Sequence, residues 1–282
     1  MSHLAPNLLA FFTPQSGGSP NADEIDSLYK IVLYLAIVIF VGVVGALCYA
    51  LYKFRARRGH VAHQIHGNTR LELTWTAGAV GVLVIIAVAM FLKLGAIINP
   101  PNSSASGATL VGASGEDGRL YASATKHLPP NGKSLEITVI GRQFIWEYIY
   151  PGANNPDGLG APYSYQEMVV PTETTVTLNV VSDDVVHSWW IPQLGGKLQA
   201  VPGYHNYGWF KIPKPGVYKG QCANICGRGH ARMIATVRAL PPAQFEAWLS
   251  QQKQALAESE ADAARERAKL NSESGPAQVE NP

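Results

Sequence analysis

The sequence predicts a membrane-anchored all-β protein: an N-terminal two-helix transmembrane hairpin followed by a β-sandwich or barrel. Three observations predict it. Two long apolar runs fill the N-terminal third of the 282 residues, short alternating segments between Gly/Pro turns follow, and a Cys/His/Met cluster lies among the last of those segments. The length allows a buried core and more than one structural unit. The net charge of +2 supplies no global field toward nucleic acid, which is not expected as a partner.

Residues 1–24 are read as an N-terminal arm. Within it Leu4 to Phe12 is weakly apolar, but no basic region precedes it, so it is not read as an intact signal peptide. Residues 25–98 form the hairpin, with helices expected at about 29–52 and 75–98. Tyr29 to Tyr52 carries no charge after Lys30, and Trp75 to Leu92 carries none. Each run meets the about 20 residues that a hydrocarbon core of about 30 Å demands. In lipid the backbone must satisfy itself, so the runs should be helical. The short connection carries Lys53, Arg55, Arg57, Arg58 and Arg70 and no acid. Basic loops stay on the cytoplasmic side, which puts both ends of the chain outside.

Residues 99–131 are rich in Gly, Ser, Pro and Ala and read as a linker. Residues 132–240 form the β domain. Leu135 to Val139 and Thr174 to Val180 alternate apolar and polar as half-buried strands do. Further short strands are expected at Tyr207 to Ile212, Gly216 to Tyr218 and Ile234 to Arg238. Turns such as Pro202-Gly203 and Lys214-Pro215-Gly216 separate them, an antiparallel sandwich pattern. Residues 241–282 read as a helix from Ala243 to Ala268, rich in Ala, Glu, Gln and Lys, and a disordered tail from Asn271 to Pro282. Phe245, Trp248 and Leu249 would seat the helix's first turns.

The chemistry lies in C-x3-C-x3-H-x2-M: Cys222, Cys226, His230 and Met233, with His187 thirty-five residues before Cys222. Thiolate, imidazole and thioether are the ligands copper prefers. Alone, the two cysteines would fit a disulfide as well as a metal; the histidines and methionine favour metal. One Cys with His and Met suits a single copper ion, and two Cys suit two ions sharing both sulfurs. The spacing would also align these residues on a helix face. Gly227 and Gly229, each costing about 1 kcal/mol in a helix, favour a bent loop instead. Copper ligands on a loop between strands narrow the sandwich to a Greek-key cupredoxin.

His187 followed by this motif resembles subunit II of cytochrome c oxidase, in the heme-copper oxidase family, and its dinuclear CuA centre. The resemblance spans about Ile25 to Trp248. It implies two copper ions bridged by Cys222 and Cys226, with His187 and His230 on one ion each. It also implies Met233 as a weak ligand of one ion and the backbone carbonyl of Asn224 of the other. Gly141 to Tyr148 is similar to an aromatic segment through which the family receives electrons from cytochrome c; Phe144 stands where the family has Trp, and Trp146 and Tyr148 are retained. Thr69 to Thr76 is similar to a signature in which Glu72 marks the mouth of a proton channel. Trp189 to Lys197 and Ala200 to Asn206 resemble segments that lie on subunit I, with Tyr204 in place of Arg. Asn224 replaces a Glu whose carboxylate reaches an interfacial Mg²⁺, so Mg²⁺ is expected to be weak or absent.

The implied role is subunit II of a respiratory oxidase, taking electrons from a cytochrome and passing them to heme in subunit I, where oxygen is reduced to water and protons are pumped. Hemes and CuB belong to the partner subunit. Expected partners are subunit I, other oxidase subunits, membrane lipid, and cytochrome c or a membrane- or complex-bound cytochrome. The implied location is a bacterial plasma membrane, with the copper domain on the periplasmic or extracellular side. Residues 99–240 carry nine Asp and Glu against eleven Lys and Arg, a poor surface for a strongly basic cytochrome unless Glu147, Asp157, Glu167, Glu173, Asp183 and Asp184 form a local patch. Alternatives are the CuA subunit of a nitric oxide reductase and a tethered copper-delivery cupredoxin. A quinol oxidase subunit would lack the ligands.

Overall fold

The computed structural model describes residues 14–55, 67–104, 122–152 and 160–273. Helix α1 (Pro20–Lys53) starts nine residues before the apolar run, because Pro20 presets the first helical turn and Ser19 enters it in extended conformation. Helix α2 (Thr69–Ile98) starts six residues early. The Asn68 carboxamide oxygen accepts the Leu71 amide at 3.1 Å and caps it. The most apolar stretches of both helices are wholly unburied. Apolar on all sides and uncovered by protein, they are membrane-type helices that need lipid as solvent. The weakly apolar stretch Leu4–Phe12 of the N-terminal arm, and Arg57 and Arg58 of the connecting loop, lie outside the described residues.

Among the described residues the β domain follows in eleven strands: β1 (Ala122–Ser123), β2 (Leu135–Arg142), β3 (Ile145–Ile149), β4 (Tyr163–Tyr165), β5 (Glu167–Pro171), β6 (Thr175–Ser182), β7 (His187–Trp189), β8 (Leu198–Ala200), β9 (Tyr204–Lys211), β10 (Gly216–Gln221) and β11 (Ile234–Leu240). One sheet runs β1-β9-β6-β2-β3-β4, a second β10-β11-β5, and β7 pairs with β8. The domain is not purely antiparallel, as the turn pattern suggested. Strands β2 and β6, β5 and β11, and β1 and β9 pair in parallel. The members of each pair lie far apart in sequence, so the chain crosses between sheets before it returns, as Greek-key sandwiches require.

Period-two burial builds the core. Leu135, Ile137 and Val139 of β2, Trp146 and Tyr148 of β3, Val176, Leu178 and Val180 of β6, and Ala235, Val237 and Ala239 of β11 all point inward. Helix α3 (Pro242–Glu273) outruns the expected Ala243–Ala268 and takes in the first residues of the expected tail; its Ala-, Glu- and Arg-rich sequence sustains the helix without packing. Residues 274–282 lie outside the described residues. The start of α3 is anchored: Phe245 and Leu249 are buried, and the Tyr150 ring meets Trp248 edge-on at 5.1 Å.

The helices join the β domain through buried polar groups. The Asn21 carboxamide donates to the Trp209 carbonyl at 2.9 Å, and the Lys211 amide donates to Ser19 Oγ at 3.1 Å. At the other helix the Trp209 indole donates to the Ile97 and Ile98 carbonyls at 3.1 and 2.9 Å. Lys93 pairs with Glu24 at 2.6 Å across the two helices. Strand β9 thus clamps both helix ends and fixes the β domain over the anchor.

Phe245→Ala should destabilise the domain by about 3–5 kcal/mol, the usual cost of deleting a buried aromatic side chain. Limited proteolysis of the detergent-purified chain should then cut α3 well before the β domain. Unchanged resistance would show that Phe245 is not the anchor.

Candidate metal centre

The ligand loop hangs between β10 and β11, which pair from Gly216↔Ala239 to Gln221↔Ile234. Two backbone bonds fix it. The Cys222 amide donates to the Met233 carbonyl at 2.8 Å, closing the loop's ends, and the Ala223 amide donates to the Ser188 carbonyl at 2.9 Å, tying the loop to β7 and its His187. A 3-10 turn, His230–Arg232, carries the next ligand candidate. The loop is bent, as Gly227 and Gly229 predicted.

All the predicted ligand atoms converge. The two sulfurs lie 3.9 Å apart, far beyond the about 2.05 Å of a disulfide, and both cysteines are free. His187 Nδ1 faces Cys222 Sγ at 3.9 Å, and His230 Nδ1 faces Cys226 Sγ at 3.6 Å. Met233 Sδ lies 3.9 Å from Cys226 Sγ, and the Asn224 carbonyl oxygen 3.2 Å from Cys222 Sγ. Each sulfur therefore has one imidazole beside it; the thioether lies on the Cys226 side and the carbonyl on the Cys222 side. The donor set is soft and buried, with His187 and Met233 fully enclosed, and it fits copper.

Several supporting residues escaped the sequence. Asp184 Oδ1 lies 2.8 Å from His187 Nε2, so that nitrogen carries the proton and Nδ1 keeps its lone pair for a metal. The three-residue spacing of Asp184 and His187 was the available signal. Burial opposes ionisation of Asp184, but hydrogen bonds from His187 and from the Gln143 and Val185 amides outweigh it and hold the carboxyl below the usual range. Gln143 Nε2 donates to the Cys226 carbonyl. Burial pushes the Cys222 thiol up, yet hydrogen bonds from His187 and the loop backbone bring it well below an ordinary thiol. Burial and the adjacent Cys222 sulfur push Cys226 up. Without metal the pair thus holds one negative charge in preference to two, and bound cations remove that restriction.

The remaining predicted residues fall in different places. Trp146 is fully buried, its ring edge-on to His187 at 5.8 Å, and among the described residues its indole nitrogen has no hydrogen-bond partner. Phe144 is half-buried against the ligand loop: a Cβ on Gly229 would stand 2.3 Å from its ring. Glu72 is not near the centre. It lies in the first turn of α2, exposed, with its carboxylate accepting the Asn68 amide at 3.4 Å. At 1.5 Å per residue it stands about 40 Å from the domain end of α2.

Two family models match the chain: "Cytochrome C oxidase subunit II, transmembrane domain" over residues 7–93, and "Cytochrome C oxidase subunit II, periplasmic domain" over residues 162–240. Together they span more than half of it. The chain belongs to the cytochrome c oxidase subunit II family. It is 29% identical to a probable cytochrome c oxidase subunit 2 of Rickettsia bellii, over 87% of this chain and 86% of that protein. It is 29% identical to cytochrome c oxidase subunit 2 of Cereibacter sphaeroides, over 84% and 81%. The crystal structure of the periplasmic domain of subunit II of cytochrome oxidase of Bradyrhizobium japonicum is 31% identical, covers 43% of this chain and 95% of that one, and has a TM-score of 0.39. Family membership makes the chain a membrane subunit of a heme-copper oxidase, an oxidoreductase complex, and copper is the metal expected for its His/Cys/Cys cluster.

A Cβ on Gly141 would lie 2.9 Å from His187 Cδ2 and 3.1 Å from the Trp146 ring. Gly141→Ala should displace the histidine at an overpacking cost of about 1–3 kcal/mol, weakening copper retention about tenfold or more. Copper content after dialysis against a chelator measures this; full retention would contradict the placement.

Proposed function

We propose that the chain is the electron-accepting subunit of a respiratory cytochrome c oxidase, holding a dinuclear CuA centre on the outer face of a bacterial plasma membrane. The observation that carries this is the mutual placement of two free, buried cysteine sulfurs 3.9 Å apart, each with its own imidazole nitrogen. A single copper ion held by one thiolate, both imidazoles and the thioether would leave the second buried sulfur without a role. Two copper ions bound there supply a one-electron acceptor in which the change on reduction is spread over both ions.

The chain's own residues do the rest. Cys222, Cys226, His187 and His230 would hold the copper, with Met233 and the Asn224 carbonyl as weaker donors. The β10–β11 loop holds these atoms in one arrangement, so electron transfer demands little movement. Asp184 orients His187, Gln143 steadies the Cys226 end of the loop, and the core around Met233 excludes water. Phe144, half-buried against the loop, and Trp146, buried against His187, are assigned to the region through which a cytochrome-type donor passes its electron. The electron leaves toward heme in subunit I, where oxygen is reduced to water with proton pumping.

Glu72, exposed where α2 begins, is assigned to the cytoplasmic mouth of a proton channel. The basic residues Lys53, Arg55 and Arg70 near the same helix ends support that orientation. Asn224 offers a neutral amide toward the subunit I side, and its Nδ2 donates to the Val186 carbonyl at 3.2 Å. Mg²⁺ is therefore held weakly or not at all there. Residues 132–240 act as the copper domain, and residues 25–98 as its anchor.

Paramagnetic resonance of the copper-loaded oxidase, recorded before any reductant is added, tests the reading. A shared electron gives seven hyperfine lines from this centre, and Cys226→Ser should lose them. Four lines in the unaltered protein would mark a single-ion site and overturn the proposal.

A further inference from the structure

The acids that the sequence allowed as a patch divide once the chain folds. Glu167 pairs with Arg238 and Glu173 with Lys211, and Asp157 lies outside the described residues. Glu147 and Asp183 share the single Arg142, and Asp184 faces His187. The flank of the ligand loop beside Phe144 therefore keeps an acidic excess. The flank beside Asn224 is built differently.

There a pocket of about 350 Å³ opens between β7, β8, β9 and the loop. Ser188, Gln199, Asn206 and Asn224 give it a polar wall and Lys197 gives it a charge; among the described residues no carboxylate lines it. Lys197 is exposed and makes no ion pair among the described residues. The Asn206 amide donates one hydrogen to the Gln199 carbonyl at 2.7 Å and has a second to give. The Asn224 amide spends its hydrogens on the Val186 and Ile225 carbonyls at 3.2 and 3.4 Å. The pocket thus presents an ammonium with amide N–H groups beside it. A divalent cation would meet neutral oxygens and a repelling ammonium, whereas a carboxylate meets a charge-assisted donor.

The rim is apolar. Ile225, between the two cysteines in sequence, is 85% exposed, and Val185 and Val186 are exposed as well. The two bonds of the Asn224 amide hold Val186 and Ile225 close to each other. Exposed aliphatic side chains around a polar pocket mark a surface that another protein covers. A small free anion would leave them in water.

Given the electron-accepting reading, on which this depends, we infer that the Asn224 flank docks the neighbouring oxidase subunit, whose Asp or Glu side chain enters this pocket and pairs with Lys197. The interface then closes on an ion pair where the resemblance places a shared Mg²⁺. Ile225, Val185 and Val186 bury beside the pair and exclude water from it. Removing the Lys197 charge leaves the partner's carboxylate buried and unpaired, which costs more than the pair itself contributes.

Carbodiimide coupling on the purified oxidase complex tests this, because the reagent joins an ammonium to a carboxylate in contact and adds no spacer. Mass spectrometry of the digest should show Lys197 joined to an Asp or Glu of another subunit. The internal Lys126–Glu136 link, expected from their 2.7 Å contact, serves as the control. Lys197→Gln should make the chain leave the complex about tenfold faster in detergent, and Lys197→Arg should not. The control link without any link from Lys197 to another subunit would overturn the inference, as would an unchanged release rate in Lys197→Gln. Mg²⁺ that stays through dialysis of the complex and is lost in Asn224→Ala would also overturn it. A four-line copper spectrum from the same complex would instead strike the electron-accepting reading.

Discussion

The centre depends on one constraint: the loop from Cys222 to Met233 is closed on itself and stitched to β7 by backbone hydrogen bonds. Cys222 to Met233 fixes the loop's mouth, and Ala223 to Ser188 fixes its distance from His187. These bonds lie among buried residues, where losing one costs more than at a surface. They keep two sulfurs near each other yet apart, in a chain that would otherwise be free to join them. The sandwich supplies β10 and β11 as rigid supports, and β9 holds the sandwich over the membrane helices through Trp209.

The rest of the domain follows from crowding around that loop. Gly141 gives His187 its room, and Gly229 gives Phe144 its seat. Trp146 fills the space behind His187. Asp184 then decides which imidazole nitrogen is open to metal. A ligand set assembled from two distant parts of the chain thus acts as one rigid unit.

Much of this was legible in the sequence. The spacing from Cys222 to Met233 announces a metal loop, and Gly227 and Gly229 announce that it bends. The anchor helices follow from two apolar runs. Their early starts, at Pro20 and Thr69, follow from the proline at the first turn of α1 and from capping of α2 by Asn68, whose weight the apolar pattern does not carry. The parallel pairing of β2 with β6 was not legible, because period-two alternation fixes which face a residue takes and says nothing of which strand lies beside it. Nor was the ion pairing: Glu147, Glu167 and Asp183 look like a patch when counted along the chain, and only the fold brings Arg142 and Arg238 to them.

A crystal of the copper-loaded protein, with anomalous diffraction collected at the copper absorption edge, tests the central claim most directly. Two separate peaks should lie between the sulfurs of Cys222 and Cys226, one toward His187 and the other toward His230. One peak, or continuous density joining the two sulfurs, would contradict it.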